Sequence, residues 1–302
     1  MVLPSRFNLR LWRGQKVISR VKASMLFAVG LLGAWLASNA AAEQAAGPEP
    51  VTFGVVPQQA ASKLARLWVP VFDYLGRSAG LEIRFRTAPN IPEFERRVAA
   101  GEYDLAYMNP YHYTVFSEEP GYRAFAKAKG QLLKGILVVR KDSPIQDPHE
   151  LSGATLAFPA PAAFAASVLT RAYLTQEGIA FTPKFVSSHD SVYLTVARGL
   201  YPGGGGVVRT LNSLTPEVRD QLRVLWTTQG YTPHAFAAHP RVSPETVKRV
   251  AEAMTAMDQE EEGRALLAPL GMDGFEAAQD SDWDDVRALG IDLLNDLVKP
   301  AQ

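Results

Sequence analysis

The sequence predicts an α/β fold of two similar lobes joined by two crossing strands, with largely parallel sheets. Short β-branched runs alternate with longer amphipathic runs, which is typical of α/β folds. This alternation occurs twice along the chain, and a third set of strand and helix signals follows it. With 302 residues, of which 47% are hydrophobic and 21% charged, the chain has enough apolar material for one large domain or two medium ones.

The N-terminus predicts export. Residues 1–42 carry six basic residues and no acidic one, and the apolar run 25–37 is followed by Ala40 and Ala42 in a small-x-small cleavage pattern. We therefore expect a signal peptide over 1–42, a tether over 43–50 and a periplasmic location. The alternative is an uncleaved anchor, although the apolar run is shorter than the roughly 20 residues of a membrane-spanning helix.

The first lobe begins with a β-α-β-α-β order. The predicted elements are a strand at 51–56, a helix at 60–78, a strand at 81–87, a helix at 91–100 and a strand at 104–108. The second set has strands at 135–140, 155–158, 182–187 and 223–226 and helices at 163–177 and 190–200. A strand at 235–238 and a helix that starts at Ser243-Pro-Glu then return to the first lobe.

This order predicts lobe boundaries. Lobe I comprises 51–137 and 236–302, and lobe II comprises 138–235. Because ligands of open α/β sheets bind beyond the carboxyl ends of strands, we expect a ligand cleft where the two lobes face each other. The four glycines at 203–206 predict a close-packed backbone crossing or a cleft wall.

Composition excludes several function classes. Lys+Arg and Asp+Glu are both 31, which argues against a nucleic-acid partner, and the absence of cysteine excludes thiol chemistry and Cys-ligated metals. No nucleophile elbow, phosphate loop, dinucleotide fingerprint or zinc-protease motif is present. The histidines lack metal-ligand spacing, and we expect His234 and His239 to be surface residues. We predict no cofactor, no metal and no catalytic residue.

Three loops each follow a predicted strand and precede a predicted helix, and two of them contain short runs of polar residues. Gln58 and Gln59 follow the first strand, and their amides are suited to donate hydrogen bonds to a ligand oxygen. His189 and Asp190 follow the strand at 182–187 and stand at a helix start. A donor or cationic imidazole suits an anion, whereas the neighbouring acid suits an amine. The alternative for Gln58 and Gln59 is a solvated helix start, and the alternative for Asp190 is helix capping, whereas His189 is harder to explain as a cap.

The third loop is rich in aromatic side chains. Tyr107, Tyr111 and Tyr113 surround Asn109-Pro110 where a strand ends. A tyrosine presents an apolar ring and a hydroxyl to a small ligand, and Asn109 is suited to fix that ligand by hydrogen bonds. The alternative is that these rings only fill space beneath the loop.

Four sequence blocks carry a family resemblance. They are Val55-Val-Pro57, the run GEYDLA at 101–106 leading into Asn109-Pro110, the run TLAF at 155–158 followed by Pro161, and the run SHDSV at 188–192. In these blocks, over nearly all of the chain after the signal segment, the protein resembles the substrate-binding proteins of phosphate, phosphite and phosphonate ABC transporters. The resemblance implies a type II periplasmic-binding-protein fold, two lobes that close on a small oxyanion, and delivery to a membrane permease.

The resemblance also exposes departures from the family pattern. The family's Ser-Thr-Ser run, which supplies hydroxyls and amides to phosphonate oxygens, corresponds here to Ala163, Phe164 and Ala165. The family's His-Asp pair is matched by His189 and Asp190, but the acid expected about a dozen residues later falls at Pro202 or Gly203. These departures argue against an aminoalkylphosphonate and leave open a smaller anion or a more apolar ligand.

The sequence therefore predicts a non-catalytic, monomeric solute-binding protein that captures a small oxyanion by hinge closure for an ABC importer. The alternative is a periplasmic sensing module that reports ligand binding to a membrane sensor kinase or another partner. An enzyme acting on a phosphorus ester through His189 is the third hypothesis.

Overall fold

Two mixed β-sheets with flanking helices organise residues 50–298, which are the residues that the computed structural model describes. The predicted signal segment 1–42 and all but the last residue of the tether lie outside the described residues. Within 50–298, no helix is both long enough and apolar enough to cross a membrane.

The strands are β1 Val51–Val55, β2 Ile83–Arg86, β3 Leu105–Met108, β4 Arg123–Ala128, β5 Gly135–Arg140, β6 Ala154–Phe158, β7 Phe181–Phe185, β8 Gly203–Val207, β9 Leu222–Thr227, β10 Ala235–Ala238 and β11 Phe275–Ala277. The α-helices are α1 Ala61–Ala79, α2 Ile91–Ala99, α3 Pro110–Phe116, α4 Thr170–Gln176, α5 His189–Ala197, α6 Val208–Asn212, α7 Pro216–Arg219, α8 Pro244–Ala256, α9 Glu261–Leu267, α10 Asp284–Arg287 and α11 Asn295–Val298. A π-helical stretch, Phe164–Leu169, leads directly into α4.

The first sheet has the order β11-β4-β10-β3-β1-β2, and the second has the order β7-β6-β8-β5-β9. The expectation of largely parallel sheets is wrong, because β10 and β5 run antiparallel to both of their neighbours. Each of these strands follows a segment that crosses from the other sheet, and it enters its sheet from the opposite end. The parallel pairs are β1 with β2 and β3, and β6 with β7 and β8.

Two crossing segments, 129–134 and 228–234, connect the sheets. They meet at an antiparallel bridge in which the backbones of Leu133 and Tyr231 exchange hydrogen bonds of 2.8 and 3.0 Å. We use lobe I for residues 50–128 and 235–298 and lobe II for residues 135–227. The second sheet thus begins three residues before the predicted lobe boundary after residue 137.

The cores of the two lobes are built differently. In lobe I, the Phe53 and Phe72 rings stack at a centroid distance of 4.5 Å, and Trp68 packs 5.5 Å from Phe72. Lobe II has smaller apolar clusters on the two faces of its sheet, one against α5 and one against α4. Large aromatic rings therefore fill lobe I, whereas lobe II depends on close approach between helices and sheet.

The glycine run makes this approach possible. It forms the central strand β8, and a Cβ at Gly204 would lie 2.6 Å from Val192 Cγ1 on α5. At Gly205 a Cβ would collide with the backbone oxygen of Ala166, and at Gly206 with the Tyr193 hydroxyl. The prediction of a close-packed backbone is confirmed. The sequence does not indicate that the run is itself a strand, since glycine has low β-propensity.

Candidate functional site

Polar residues from both lobes surround a small buried space between them, which we call the inner cleft. It is lined by Gln58 and Asn109 of lobe I and by residues 163–166 and His189 of lobe II. The remaining space is about 10 Å³, which is close to the volume required by one water molecule. The structure therefore brings these predicted residues together, with the lobes in direct contact.

Gln58 is the most connected residue of this cleft. Its backbone oxygen accepts a 3.0 Å hydrogen bond from the backbone N–H of His189, and its Oε1 accepts a 2.7 Å bond from Arg209 Nη2. Its Nε2 lies 3.3 Å from His234 Nε2, and the amide donates when that ring nitrogen is unprotonated. Gln58 thus joins lobe I to two residues of lobe II.

Asn109 both caps a helix and contacts the other lobe. Its Oδ1 accepts a 2.8 Å bond from the His112 backbone N–H at the start of α3, and its Nδ2 donates to the Ala162 oxygen at 3.2 Å. The buried His112 ring lies 2.9 Å from Glu95 Oε1 and packs behind the cap. The local fold therefore fixes the position of the Asn109 amide.

His189 enters the cleft as a neutral imidazole. It is 2% exposed and follows Ser188, whose Oγ caps α5 by accepting from the Ser191 backbone N–H at 3.1 Å. Burial, with the nearby Arg209 guanidinium as the second cause, lowers the pKa of His189 to about 3. In this arrangement the His189 ring is therefore neutral and offers hydrogen bonding rather than positive charge.

Gln59 and Asp190 lie beside the inner cleft and tie the lobes together. Gln59 Nε2 donates to Ser213 Oγ at 2.7 Å and lies 3.5 Å from Asp190 Oδ1. Lys63 Nζ is 4.0 Å from Asp190 Oδ2 and donates to the Ser213 backbone oxygen at 2.8 Å. Burial raises the pKa of Asp190, and the Lys63 charge opposes that shift. These contacts make both predicted residues part of a polar clamp.

The π-helical stretch supplies the lobe II wall of the inner cleft. Ala163, Phe164 and Ala165 all line it, as the resemblance implies for positions that face a ligand. The Phe164 ring is 1% exposed and packs edge-on against Tyr231 at 5.6 Å, so its apolar surface covers the crossing segment. Amides of a first helical turn have no acceptor within the helix and remain suited to an oxyanion.

Two predicted tyrosines lie elsewhere. The Tyr111 hydroxyl accepts a 2.9 Å bond from the Leu294 backbone, and the Tyr113 hydroxyl donates to Asp280 at 2.7 Å. The Tyr113 ring also packs 4.5 Å from Trp283. Both side chains leave α3 toward the C-terminal segment and line neither side of the inner cleft, so the structure does not bring them to the other predicted residues. Tyr107 instead stays between the lobes.

Two residues of the site escape sequence analysis. His234 is 4% exposed and stacks on Tyr107 at 5.0 Å, so the expectation of a surface residue is wrong, while His239 is half-buried. Arg209 lies 5.8 Å from the centroid of the Tyr107 ring and contacts Gln58. Their positions relative to the strands would identify both residues. Arg209 follows the end of β8 by two residues, and His234 immediately precedes β10.

A larger space lies beside the inner cleft, and we call it the lateral cavity. It measures about 440 Å³ and is enclosed by lobe I residues such as Trp68 and Tyr107, by lobe II residues such as Val208 and Arg209, and by the crossing-segment residue Leu132. A space of about 280 Å³ adjoins it and shares Tyr107, Leu132 and Arg209 among its lining residues.

Known proteins are similar to most of this chain. The family described as "ABC transporter, phosphonate, periplasmic substrate-binding protein" matches residues 53–283. The "Phosphate-import protein PhnD" of Mycolicibacterium smegmatis is 23% identical over 282 residues, which cover 80% of this chain and 84% of that protein.

Solved structures show the same fold. A binding protein component of an ABC phosphonate transporter from Pseudomonas aeruginosa matches with a TM-score of 0.73 and 18% identity, covering 80% of this chain and 85% of that one. PhnD1 from Prochlorococcus marinus, in complex with methylphosphonate, matches with a TM-score of 0.75 and 16% identity, covering 81% and 98%. These likenesses confirm the predicted type II periplasmic-binding-protein fold of two joined α/β lobes.

Proposed function

The chain belongs to the periplasmic phosphonate-binding protein family of ABC transporters, and from this premise we propose that it captures a small oxyanion between its lobes by hinge closure. Family membership makes it a non-enzymatic substrate-binding component with a small ligand and a permease partner.

The convergence of hydrogen-bond donors in the inner cleft carries the proposal. Gln58 and Asn109 line the space from lobe I, and residues 163–166 with the neutral His189 ring line it from lobe II. No acidic side chain is among the described residues that line this space. Uncharged donors at helix starts favour an oxyanion. Within residues 50–298, no cationic side chain lines this space, so hydrogen bonds would hold the anion there.

The small size of the inner cleft supports a hinge. A space of about 10 Å³ admits no phosphonate while the lobes are in contact, so a ligand enters only when they separate. Separation breaks the bonds from Gln58 to His189 and Arg209, whereas the crossing segments keep the lobes connected. Closure then depends on the ligand's higher affinity for the closed arrangement.

Calorimetric titration of ligand-free protein tests the proposal. Phosphate, phosphite, methylphosphonate and aminoethylphosphonate form the panel, and at least one small oxyanion is expected to bind. His189→Ala and Asn109→Ala should each weaken that binding about tenfold, because one buried hydrogen bond is lost. Tyr113→Phe, outside the cleft, is the matched control. Absence of binding across the panel would overturn oxyanion capture.

Small-angle scattering tests the closure movement on the same samples. The radius of gyration of ligand-free protein should decrease when the bound oxyanion is added, because the separated lobes come together. An unchanged radius with confirmed binding would contradict the hinge.

We also place the protein in the periplasm as a monomer, exported through the segment 1–42. N-terminal sequencing of the secreted chain should find a start near Glu43. An intact Met1 in the membrane fraction would instead support the uncleaved anchor.

A further inference from the structure

The lateral cavity has the walls of a binding site for an apolar group. Leu64, Leu67 and Trp68 line its lobe I side, all from helix α1. Leu132 and Val208 also line it and are 64% and 42% exposed, which is unusual for large apolar side chains. A concavity of this size, with exposed aliphatic residues and a few polar side chains on its lining, is typical of a small-molecule site.

The charge of this cavity is positive. Arg209 is the one charged side chain among the described residues that line it, and no carboxylate lines it. The guanidinium lies 5.8 Å from the centroid of the Tyr107 ring, and its Nη2 donates to Gln58 Oε1 at 2.7 Å. A guanidinium offers a planar set of donors that matches a carboxylate or phosphonate, so a neutral amide leaves much of its capacity unused.

Gln58 links the two spaces, because it lines both the inner cleft and the lateral cavity. A ligand oxygen that replaces Gln58 Oε1 at Arg209 would stand at the junction of the two spaces. The rest of the ligand would then occupy the roomy apolar side, since the inner cleft has space for about one water.

We propose that the lateral cavity binds an organic anion whose charged oxygens pair with Arg209 and whose apolar body packs against α1. The ligand class is therefore a phosphonate with an aromatic or extended aliphatic substituent, larger than methylphosphonate. This inference rests on the proposed function, whose open question is whether the ligand is a smaller anion or a more apolar one.

Phenylphosphonate is the probe, and inorganic phosphate, methylphosphonate and the neutral phenylmethanol are its comparators. In titrations of ligand-free protein, phenylphosphonate should bind at least tenfold more tightly than methylphosphonate, and phenylmethanol should not bind. Arg209→Met should weaken phenylphosphonate binding at least tenfold, while Arg209→Lys should lose less. Arg198→Met, at an exposed arginine of the same lobe, is the matched control.

Leu132→Asp provides a second test that does not depend on whether the Arg209 variants fold. Leu132 is largely exposed, so its substitution should leave the fold intact. It replaces part of the apolar lining that the phenyl group would contact and should weaken phenylphosphonate at least fivefold more than phosphate. If phosphate or methylphosphonate binds and phenylphosphonate binds no better, this inference is overturned and the proposed function stands. If no anion of either panel binds, the proposed function falls and the inference falls with it.

Discussion

The two lobes share a strand order but present polar groups to the cleft by different means. The order β2-β1-β3-β10-β4 in lobe I corresponds to β7-β6-β8-β5-β9 in lobe II. Lobe I uses side chains, the amides of Gln58 and Asn109, above an aromatic core. Lobe II uses helix starts, and its glycine strand lets those helices lie against the sheet. One topology therefore supports a wall of side chains in lobe I and, facing it, a wall in lobe II made of the 163–166 segment and the His189 ring.

Gly205→Ala should have the largest effect, because it disturbs the close packing of lobe II around β8. Its new Cβ would meet the Ala166 backbone oxygen, which cannot rotate away, so overpacking should lower the free energy of unfolding by about 3 kcal/mol. Gly203→Ala is the matched control in the same strand, where the nearest atom, Val138 O, is 3.1 Å away and a smaller loss is expected. Equal losses in urea denaturation would show that close approach at Gly205 is unimportant.

Acid should destabilise the contact between the lobes through its two buried imidazoles. Burial and then the Arg209 charge lower the pKa values of His189 and His234, so both stay neutral in the folded protein while the unfolded chain takes up protons below about pH 6.5. Stability is therefore fully present above pH 6.5 and falls as the pH decreases below it. From pH 6 to pH 5 the free energy of unfolding should drop by about 2 kcal/mol.

The measurement is urea denaturation at both pH values. His189→Asn with His234→Asn should reduce the drop, whereas His149→Gln, which removes an exposed imidazole from lobe II, serves as the control. A double variant with the full wild-type drop would assign the acid sensitivity to other groups.

Much of the architecture follows from the sequence, but three strands do not. Eight of the eleven strands in residues 50–298 are predicted to within two residues at each end, and β8 is recognised only as a close-packed run. The other two are β4, with the sequence RAFAKA, and β11, with the sequence FEA. Their pairing is a tertiary effect, since both lie beyond β10 on the outer side of the first sheet.

The site is less predictable, since its residues depend on which face each element buries. Asn109 and His189 follow from the strand-end rule, whereas Tyr111 and Tyr113 turn away because α3 packs against the C-terminal segment. Arg209 is recognisable only when the glycine run is known to be a strand. His234 requires the knowledge that β10 returns from the other lobe.

The caps of α5 in lobe II and α3 in lobe I compare a cap that acts only within its own lobe with one that also contacts the other lobe. Ser188→Ala removes the cap of α5 and should cost about 1 kcal/mol of stability. Asn109→Ala removes both the cap of α3 and the bond to Ala162 of the other lobe, and it should cost about 2 kcal/mol. Asn109→Asp retains the cap acceptor and should lose the bonds of Nδ2 to the Ala162 oxygen and to the His112 ring. Thermal denaturation ranks the three variants, and equal costs at the two caps would contradict the bridging role of Asn109.

The smallest loss of stability is expected for the polar clamp beside the inner cleft, in which Lys63 contacts Asp190 and Ser213. Lys63→Met removes a partly exposed cation at 4.0 Å from Asp190 and its bond to Ser213, and about 0.5 kcal/mol of stability should be lost. Lys248→Met, in an exposed pair with Glu252 of lobe I, is the control. A larger loss for the control in denaturation curves would show that the clamp contributes nothing.

The bonding of Gln58 has a consequence for how transport is signalled. One residue holds His189 through its backbone and Arg209 through its side chain, so both links break in the same movement. In the hinge movement that we propose, partly separated arrangements would retain neither link and gain no ligand contact, so they would be poorly populated. A permease that touches both lobes would accordingly meet one of two discrete shapes, and a loaded carrier would be distinguished from an empty one without graded intermediates.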